Sequence, residues 1–210
     1  MTKPGILALW NDCVKGDEVE YERWYQTEHL AERLSIPGIL LGRRYEEVEA
    51  QQGYFTYYET ETPDVLISLP YRERLENPTP LTQQIMAGTL INMSRTICSV
   101  EERGGECRGG WAATIKLNET GHPGLQGIID RLIAAPGVAR AELWRAAEGM
   151  EAPLSKEEKI RGGDARITGC LLIDTLHYAD ARQAARTVQD ELGDAASEIG
   201  IYRLMCELAG

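Results

Sequence analysis

His29, one of three histidines in the chain, stands close to Trp24 and Tyr25 in the stretch EVEYERWYQTEHLAERLSIPGILLGRRY, from Glu18 to Tyr45. An imidazole of ordinary pKa near 6.5 can take or give a proton at neutral pH. Tyr25 lies one helical turn earlier on the same face and can donate to a developing oxyanion. Tyr58, on the strand expected beneath that helix, can do the same. Asn11, at the end of the first strand, can orient a carbonyl. Arg44 or Arg95 can hold a carboxylate or phenolate through a bidentate fork. Trp10, Trp24 and Tyr57 would line a pocket suited to a flat apolar or aromatic ligand. The chemistry these residues suggest is proton transfer on a small cyclic anion, with no metal and no cofactor.

Each of these residues also has a purely structural reading. A histidine flanked by Glu28, Glu32 and Arg33 can be a partly exposed, hydrogen-bonded surface residue. The aromatic run Tyr54 to Tyr58 can serve core and cross-strand packing. Arg43 and Arg44 can pair with Glu46, Glu47 or Glu49 at the surface, a contact worth little. Asn11 can be a turn residue.

Composition narrows the classes. The chain has 210 residues and a formal net charge of −11, so nucleic acid and anionic membrane, which need a basic surface, are not expected partners. No apolar run approaches the ~20 residues of a membrane span. The opening MTKPGILALWND is too weak for a signal peptide, and a cytoplasmic location is expected. Five scattered cysteines form no C-x-x-C pair and read as reduced, small buried hydrophobes. Motifs of α/β-hydrolases, Walker-type NTPases and Rossmann domains are absent. His122 and His177 lack a metal-like partner at i+4.

The elements that must position His29 repeat along the chain. A strand at Gly5–Asn11 precedes a helix capped by Asp17 and running to about Ser35, which Pro37-Gly38 ends. On an ideal helix, Trp24, Leu30, Ala31 and Leu34 share its broad apolar side, and His29 lies at the edge of a neighbouring stripe. Strands follow at 39–48 and 54–60, helical segments at 64–69, 71–75 and 81–88, and a strand at 90–100. After a polar, glycine-rich segment the order restarts: strand 111–117, helix 125–134, strand 138–146, a charged loop 148–164, strand 165–174, helix 179–192 and strand 199–208. Pro37-Gly38-Ile39 and Pro136-Gly137-Val138 are 99 positions apart, and an aromatic follows each proline by eight positions, Tyr45 and Trp144. The order β-α-β-β-α-β therefore occurs twice, in residues 1–103 and 104–210. Right-handed crossovers place both helices of a unit on one sheet face, and the second unit is the natural cover for the other face. The predicted fold is α+β: two tandem ferredoxin-like units forming a dimeric α/β barrel within one chain. Alignment through the Pro-Gly step sets Ile128 against His29, Gly124 against Tyr25 and Pro123 against Trp24. The candidate site is thus expected in the first unit, with the second as scaffold.

The element order, the duplication and the Trp24…His29…Pro37-Gly38 spacing resemble the dimeric α/β-barrel superfamily. Trp24, His29, Pro37-Gly38 and Arg43-Arg44-Tyr45 resemble its EthD-like branch. Asn77-Pro78-Thr79-Pro80 with Ser94-Arg95-Thr96 is similar to a group of bacterial proteins within it. The resemblance implies a ligand between helices and sheet, but the superfamily spans isomerases, cyclases, cofactor-free monooxygenases and haem-degrading enzymes, so fold alone selects no reaction. The reading carried forward is a cofactor-independent isomerase, cyclase, dehydratase or decarboxylase acting on a cyclic or aromatic anionic metabolite. The alternatives are a non-catalytic ligand-binding or stress-associated module, and a haem-binding protein (His29 as axial ligand) or cofactor-free monooxygenase. A homodimer through exposed strand edges is compatible with all of them.

Overall fold

Side chains on a strand point alternately to its two faces, and that alternation sorts this chain into three layers. The computed structural model describes residues 2–150 and 153–210; position 1 and positions 151–152 of the expected charged loop lie outside the described residues. Eight strands form a closed barrel: β1 (Gly5–Cys13), β2 (Ile39–Glu49), β3 (Tyr54–Thr60), β4 (Leu90–Gly104), β5 (Trp111–Leu117), β6 (Val138–Ala146), β7 (Gly169–Thr175) and β8 (Ala196–Ala209). Their order around the barrel is β1-β3-β2-β8-β5-β7-β6-β4, and every pairing is antiparallel. The halves thus run 4-1-3-2 and 8-5-7-6, one order shifted by four strands. They meet along β2·β8 and β4·β6, so each half hides the inner face of the other and no sheet edge stays open.

The barrel interior is aromatic: Trp10, Phe55, Tyr45, Tyr57, Trp144 and Tyr202 share one buried cluster. It is closed toward one side by an ionic network, with Arg43 donating to Asp174 at 2.9 Å and Arg103 and Arg140 converging on Glu142 at 2.8 and 2.5 Å. The surface pairing expected for Arg43 and Arg44 is not what forms. Arg43 points inward to Asp174 and also meets Glu207, because β2 sits at the junction between the halves rather than at an edge.

Helices cover the outer faces. In the first unit these are α1 (Glu18–Trp24), a π-helical turn (Tyr25–His29) and α2 (Leu30–Leu34), then α3 (Leu69–Glu76) and α4 (Pro80–Gly88). The second unit has α5 (Ile128–Ile133), α6 (Lys156–Arg161) and α7 (Tyr178–Leu192). Both Pro-Gly steps end a helix in the same way, with Gly38 at φ 88° and Gly137 at φ 79°, a conformation that carries little penalty only for glycine. Gly42 lets the first helix approach β2, since a Cβ there would lie 2.7 Å from Leu30 Cδ1.

Three local expectations need correction. Asp17 precedes α1 but its side chain caps no backbone N–H; its carboxylate instead accepts from Thr89 at 3.4 Å. Ala31 is exposed because the π turn adds a residue to the helical repeat and rotates everything after it. The charged loop at 148–164 contains a helix, α6, begun by a capping box between Ser155 and Glu158, an S-x-x-E signature readable in the sequence.

Candidate functional site

The first helix is regular up to Trp24 and again from Leu30, with a single wide turn between, in which the Leu30 N–H reaches back to the Tyr25 carbonyl. Such π turns concentrate at functional sites. Around this one Tyr21, Trp24, Tyr25, His29 and Arg33 are all buried. His29 is 6% exposed, so the partly exposed surface role does not apply. Its ring lies 4.1 Å from Trp24 and 5.1 Å from Tyr25, centroid to centroid.

Trp24 is fixed from behind. Its indole N–H donates to Thr82 at 3.0 Å, and the Thr79 and Thr82 hydroxyls both donate to Glu28, at 2.5 and 2.9 Å. Thr79 also caps α4, accepting from the Thr82 N–H at 3.1 Å, with Pro80 in its first turn. The Asn77-Pro78-Thr79-Pro80 motif therefore starts α4 and, through Glu28, orients the wall behind His29.

A chamber of about 20 Å³ lies between helix and sheet, bounded by His29, Trp24, Tyr25, Tyr58, Arg33 and Tyr71 among others. That volume suits one water-sized group. Three polar atoms of its lining are fully buried and have no hydrogen-bond partner: His29 Nδ1, Tyr58 Oη and Arg33 Nη1. Left with no partner at all, such atoms would cost about 1–3 kcal/mol each, so the chamber is shaped to take a small polar group among them. Burial, and then the positive charges of Arg33, Arg161 and Arg44, hold the His29 pKa well below 6.5, so its imidazole is neutral at pH 7. Burial pushes the Tyr58 phenol well above 10 and that of Tyr25 upward, so both stay protonated donors.

The roof comes from the other half of the chain. Arg33 Nη2 donates to both oxygens of Glu157 at 2.6 and 2.7 Å, in an ion pair with both side chains 3% exposed. Arg161 also borders the chamber, held by Asp164 at 3.0 and 2.6 Å. The second unit is therefore more than scaffold: its inserted helix α6 closes the first unit's site. Arg33 was legible as the residue one turn beyond His29. Glu157 and Arg161 carried no comparable signal, since Glu157 lies 124 positions from Arg33.

Beside the chamber opens a cleft of about 470 Å³ between α3, β4 and the insert, and Leu75 and Arg95 border both spaces. Arg95 Nη2 donates to Tyr71 Oη at 3.1 Å, and its Nη1 lies 3.7 Å from Glu158.

Of the residues expected to form one site, His29, Tyr25, Tyr58, Trp24 and Arg95 do meet around the chamber. Trp10 and Tyr57 do not: they point into the barrel, where Trp10 stacks on Phe55 at 5.0 Å and Tyr57 packs 5.4 Å from Trp144. Strand alternation forces this, because Tyr57 is adjacent to Tyr58, and Trp10 to the chamber-lining Leu9. Asn11 is buried away from the chamber and donates to Tyr21 Oη at 2.7 Å. Arg44 is caged by the rings of Tyr21, Tyr25 and Tyr54, 4.9, 4.4 and 4.6 Å from their centroids, so it has no path to a substrate.

No family model matches the chain, and no curated protein matches it. Solved structures do. The chain is similar to an anthrone oxidase-like protein (TM-score 0.64, 8% identity, covering 100% of this chain and 94% of that one). It is similar to a proposed monooxygenase from Fusobacterium nucleatum (TM-score 0.61, 8% identity, 100% and 98%). It is also similar to a haem-binding protein from Thermus thermophilus (TM-score 0.53, 8% identity, 98% and 92%). At these identities the likeness establishes the dimeric α/β-barrel fold.

The Thermus thermophilus neighbour binds haem, and the fit of His29 to that group can be tested on its surroundings. The chamber at His29 holds about 20 Å³, against the several hundred Å³ or so that a large planar ligand fills. Trp24 and Tyr25 cover the imidazole. No histidine, cysteine or tyrosine among the described residues lines the larger cleft. The residues present do not fit a His29-ligated haem.

Proposed function

We propose that the chain is a cofactor-independent enzyme that moves a proton on a small cyclic or aromatic molecule, bound with its reacting atom at the chamber and its body in the adjoining cleft. The observation that carries this reading is that three side chains lining one small chamber, those of His29, Tyr58 and Arg33, each bury a polar atom with no protein partner. Neutral His29 is the base. Tyr58 and Arg33 donate to the oxygen on which the substrate's negative charge develops, in a site where water does not compete. The depressed imidazole pKa disfavours a lasting imidazolium, so the proton passes on to product or returns. Isomerisation, cyclisation and dehydration begin with this step, and decarboxylation reaches the same enolate by loss of CO2 before the proton is returned.

Oxygenation without a cofactor is the second reading, since a resonance-stabilised carbanion made here would meet O2 directly. It is favoured by fold neighbours described as anthrone oxidase-like and as a proposed monooxygenase. We read the two halves as copies of one ferredoxin-like unit of the EthD-like kind. Their identical strand orders and matching Pro-Gly turns support this.

Anthrone tests both readings. Loss of a methylene proton gives its enolate, and reaction with one O2 yields anthraquinone and water. Under argon in D2O, the protein should speed deuterium exchange at that methylene. In air it should also speed O2 uptake if oxygenation is the reaction. His29→Gln should lower either rate by about 10²–10⁴-fold, and Tyr58→Phe by less. Exchange no faster than in buffer, or equal rates in native protein and His29→Gln, would remove the catalytic reading for this class of substrate.

A further inference from the structure

The cleft beside the chamber is a separate piece of recognition chemistry. Its inner wall is apolar, with Leu66, Ile67, Leu75, Ile97 and Ile167 among its lining residues. Its volume of about 470 Å³ falls within the range of small-molecule sites. Leu69, 70% exposed, stands at its border.

Polar groups divide by depth. Arg72, Glu73, Glu76 and Arg166 are exposed to solvent, where a charge discriminates weakly. Inside are Arg95 and Glu158, each with a side chain 11% exposed. These two are not equally committed. Glu158 Oε2 accepts from the Ser155 N–H and hydroxyl at 3.0 and 2.9 Å, closing the capping box of α6. Arg95 makes one short bond, to Tyr71, and its approach to Glu158 is 3.7 Å. A guanidinium carries five N–H donors in a planar fork, so most of the donor capacity of Arg95, which lines the cleft, is not taken up by Tyr71.

We infer that this cleft binds the apolar body of a carboxylic acid, with the ligand carboxylate held by Arg95 in place of the loose Glu158 contact. This deepens the reading of the His29 site by naming the substrate as an aromatic or alicyclic carboxylate. It also makes Arg95 the specificity-determining residue. Because Arg95 borders both spaces, a carboxylate gripped there fixes how far the rest of the ring reaches toward His29.

Binding, rather than turnover, tests this, so the outcome is independent of whether His29 is catalytic. Three probes of one shape are titrated calorimetrically into the full chain: 2-naphthoate, 2-naphthalenemethanol and 2-naphthylmethylamine. The carboxylate should bind about 10–100-fold more tightly than the alcohol, the worth of a charge-assisted hydrogen bond, and the amine most weakly. Arg95→Gln should abolish the preference while leaving alcohol binding within about 2-fold, and Arg95→Lys should keep part of it. Glu158→Gln, which retains a capping side chain, should tighten the carboxylate by removing its competitor. Circular dichroism of each variant confirms folding. A tighter amine than carboxylate, an unchanged preference in Arg95→Gln, or carboxylate binding weakened in Glu158→Gln overturns the inference. Normal carboxylate selectivity together with anthrone exchange at the buffer rate would leave the cleft standing and remove only the catalytic reading for anthrone-type substrates.

Discussion

The two helix–sheet layers of this barrel are built on one strand order and bury different chemistry. The layer of the second unit is aliphatic, with Ile128, Ile129, Leu132, Ala184 and Val188 among its residues. The corresponding layer of the first unit holds Tyr21, Trp24, Tyr25, Tyr58 and Tyr71 around His29 and Arg33. Among the described residues, the second layer contributes one buried polar atom without a protein partner, Asp180 Oδ2, while the first leaves Asn11, His29, Arg33, Arg44, Thr56 and Tyr58 incompletely bonded. An aliphatic layer shows what stability alone asks of this architecture. The excess polarity of the other is what the proposed site adds to it.

The sharpest way to break that contrast is through the roof. Glu157→Gln leaves Arg33 buried without a counter-charge, and chemical denaturation should show a loss of about 3–5 kcal/mol, together with a loss of turnover. Leu132→Ala cuts a cavity into the aliphatic layer, for about 2–4 kcal/mol. It should leave naphthoate binding unchanged, and a parallel loss of binding would show that the layers are not separable.

pH separates the buried groups next. The His29 pKa is held below its ordinary 6.5, so the unfolded chain takes up that proton more readily and stability is lost as pH falls below 6.5. Asp174, inside the barrel, is pushed from 3.8 up to about 6, mainly by burial. The fold holds its proton more tightly, so its contribution is present below 3.8 and lost as pH rises through about 6. Melting temperatures from pH 4 to 7 should therefore lose their acid-side decline in His29→Gln and their opposite slope in Asp174→Asn. A His29→Gln profile that overlays the native one would mean that the imidazole titrates normally.

The smallest effect is the most diagnostic of function. His29→Leu replaces an unsatisfied polar ring with an apolar side chain and should be neutral or stabilising by about 1 kcal/mol, while turnover is lost. A loss of more than about 2 kcal/mol would assign His29 to the fold instead.

Much of the architecture could be read from residue patterns because it rests on local rules. The element order, the Pro-Gly stops and the helical position of His29 follow from strand alternation, helix periodicity and glycine's freedom at positive φ. The π turn did not show, since one extra residue in a helix leaves no mark in composition, and it explains why Ala31 faces solvent. The assignment of Trp10 and Tyr57 to the site failed although the rule against it, two faces per strand, was available.

By itself the chain determined that two similar units would form and that only the first would carry an imidazole among aromatics, because hydrophobic period and turn chemistry act over a few neighbouring residues. Tertiary structure alone decided that Glu157 and Arg161 would cross from the second unit to seal the first. It also decided that Arg44 would vanish into a cage of tyrosines while Arg95 stayed on the wall of an open cleft. Contacts between residues far apart in sequence depend on which surfaces barrel closure brings together, and no local pattern records that.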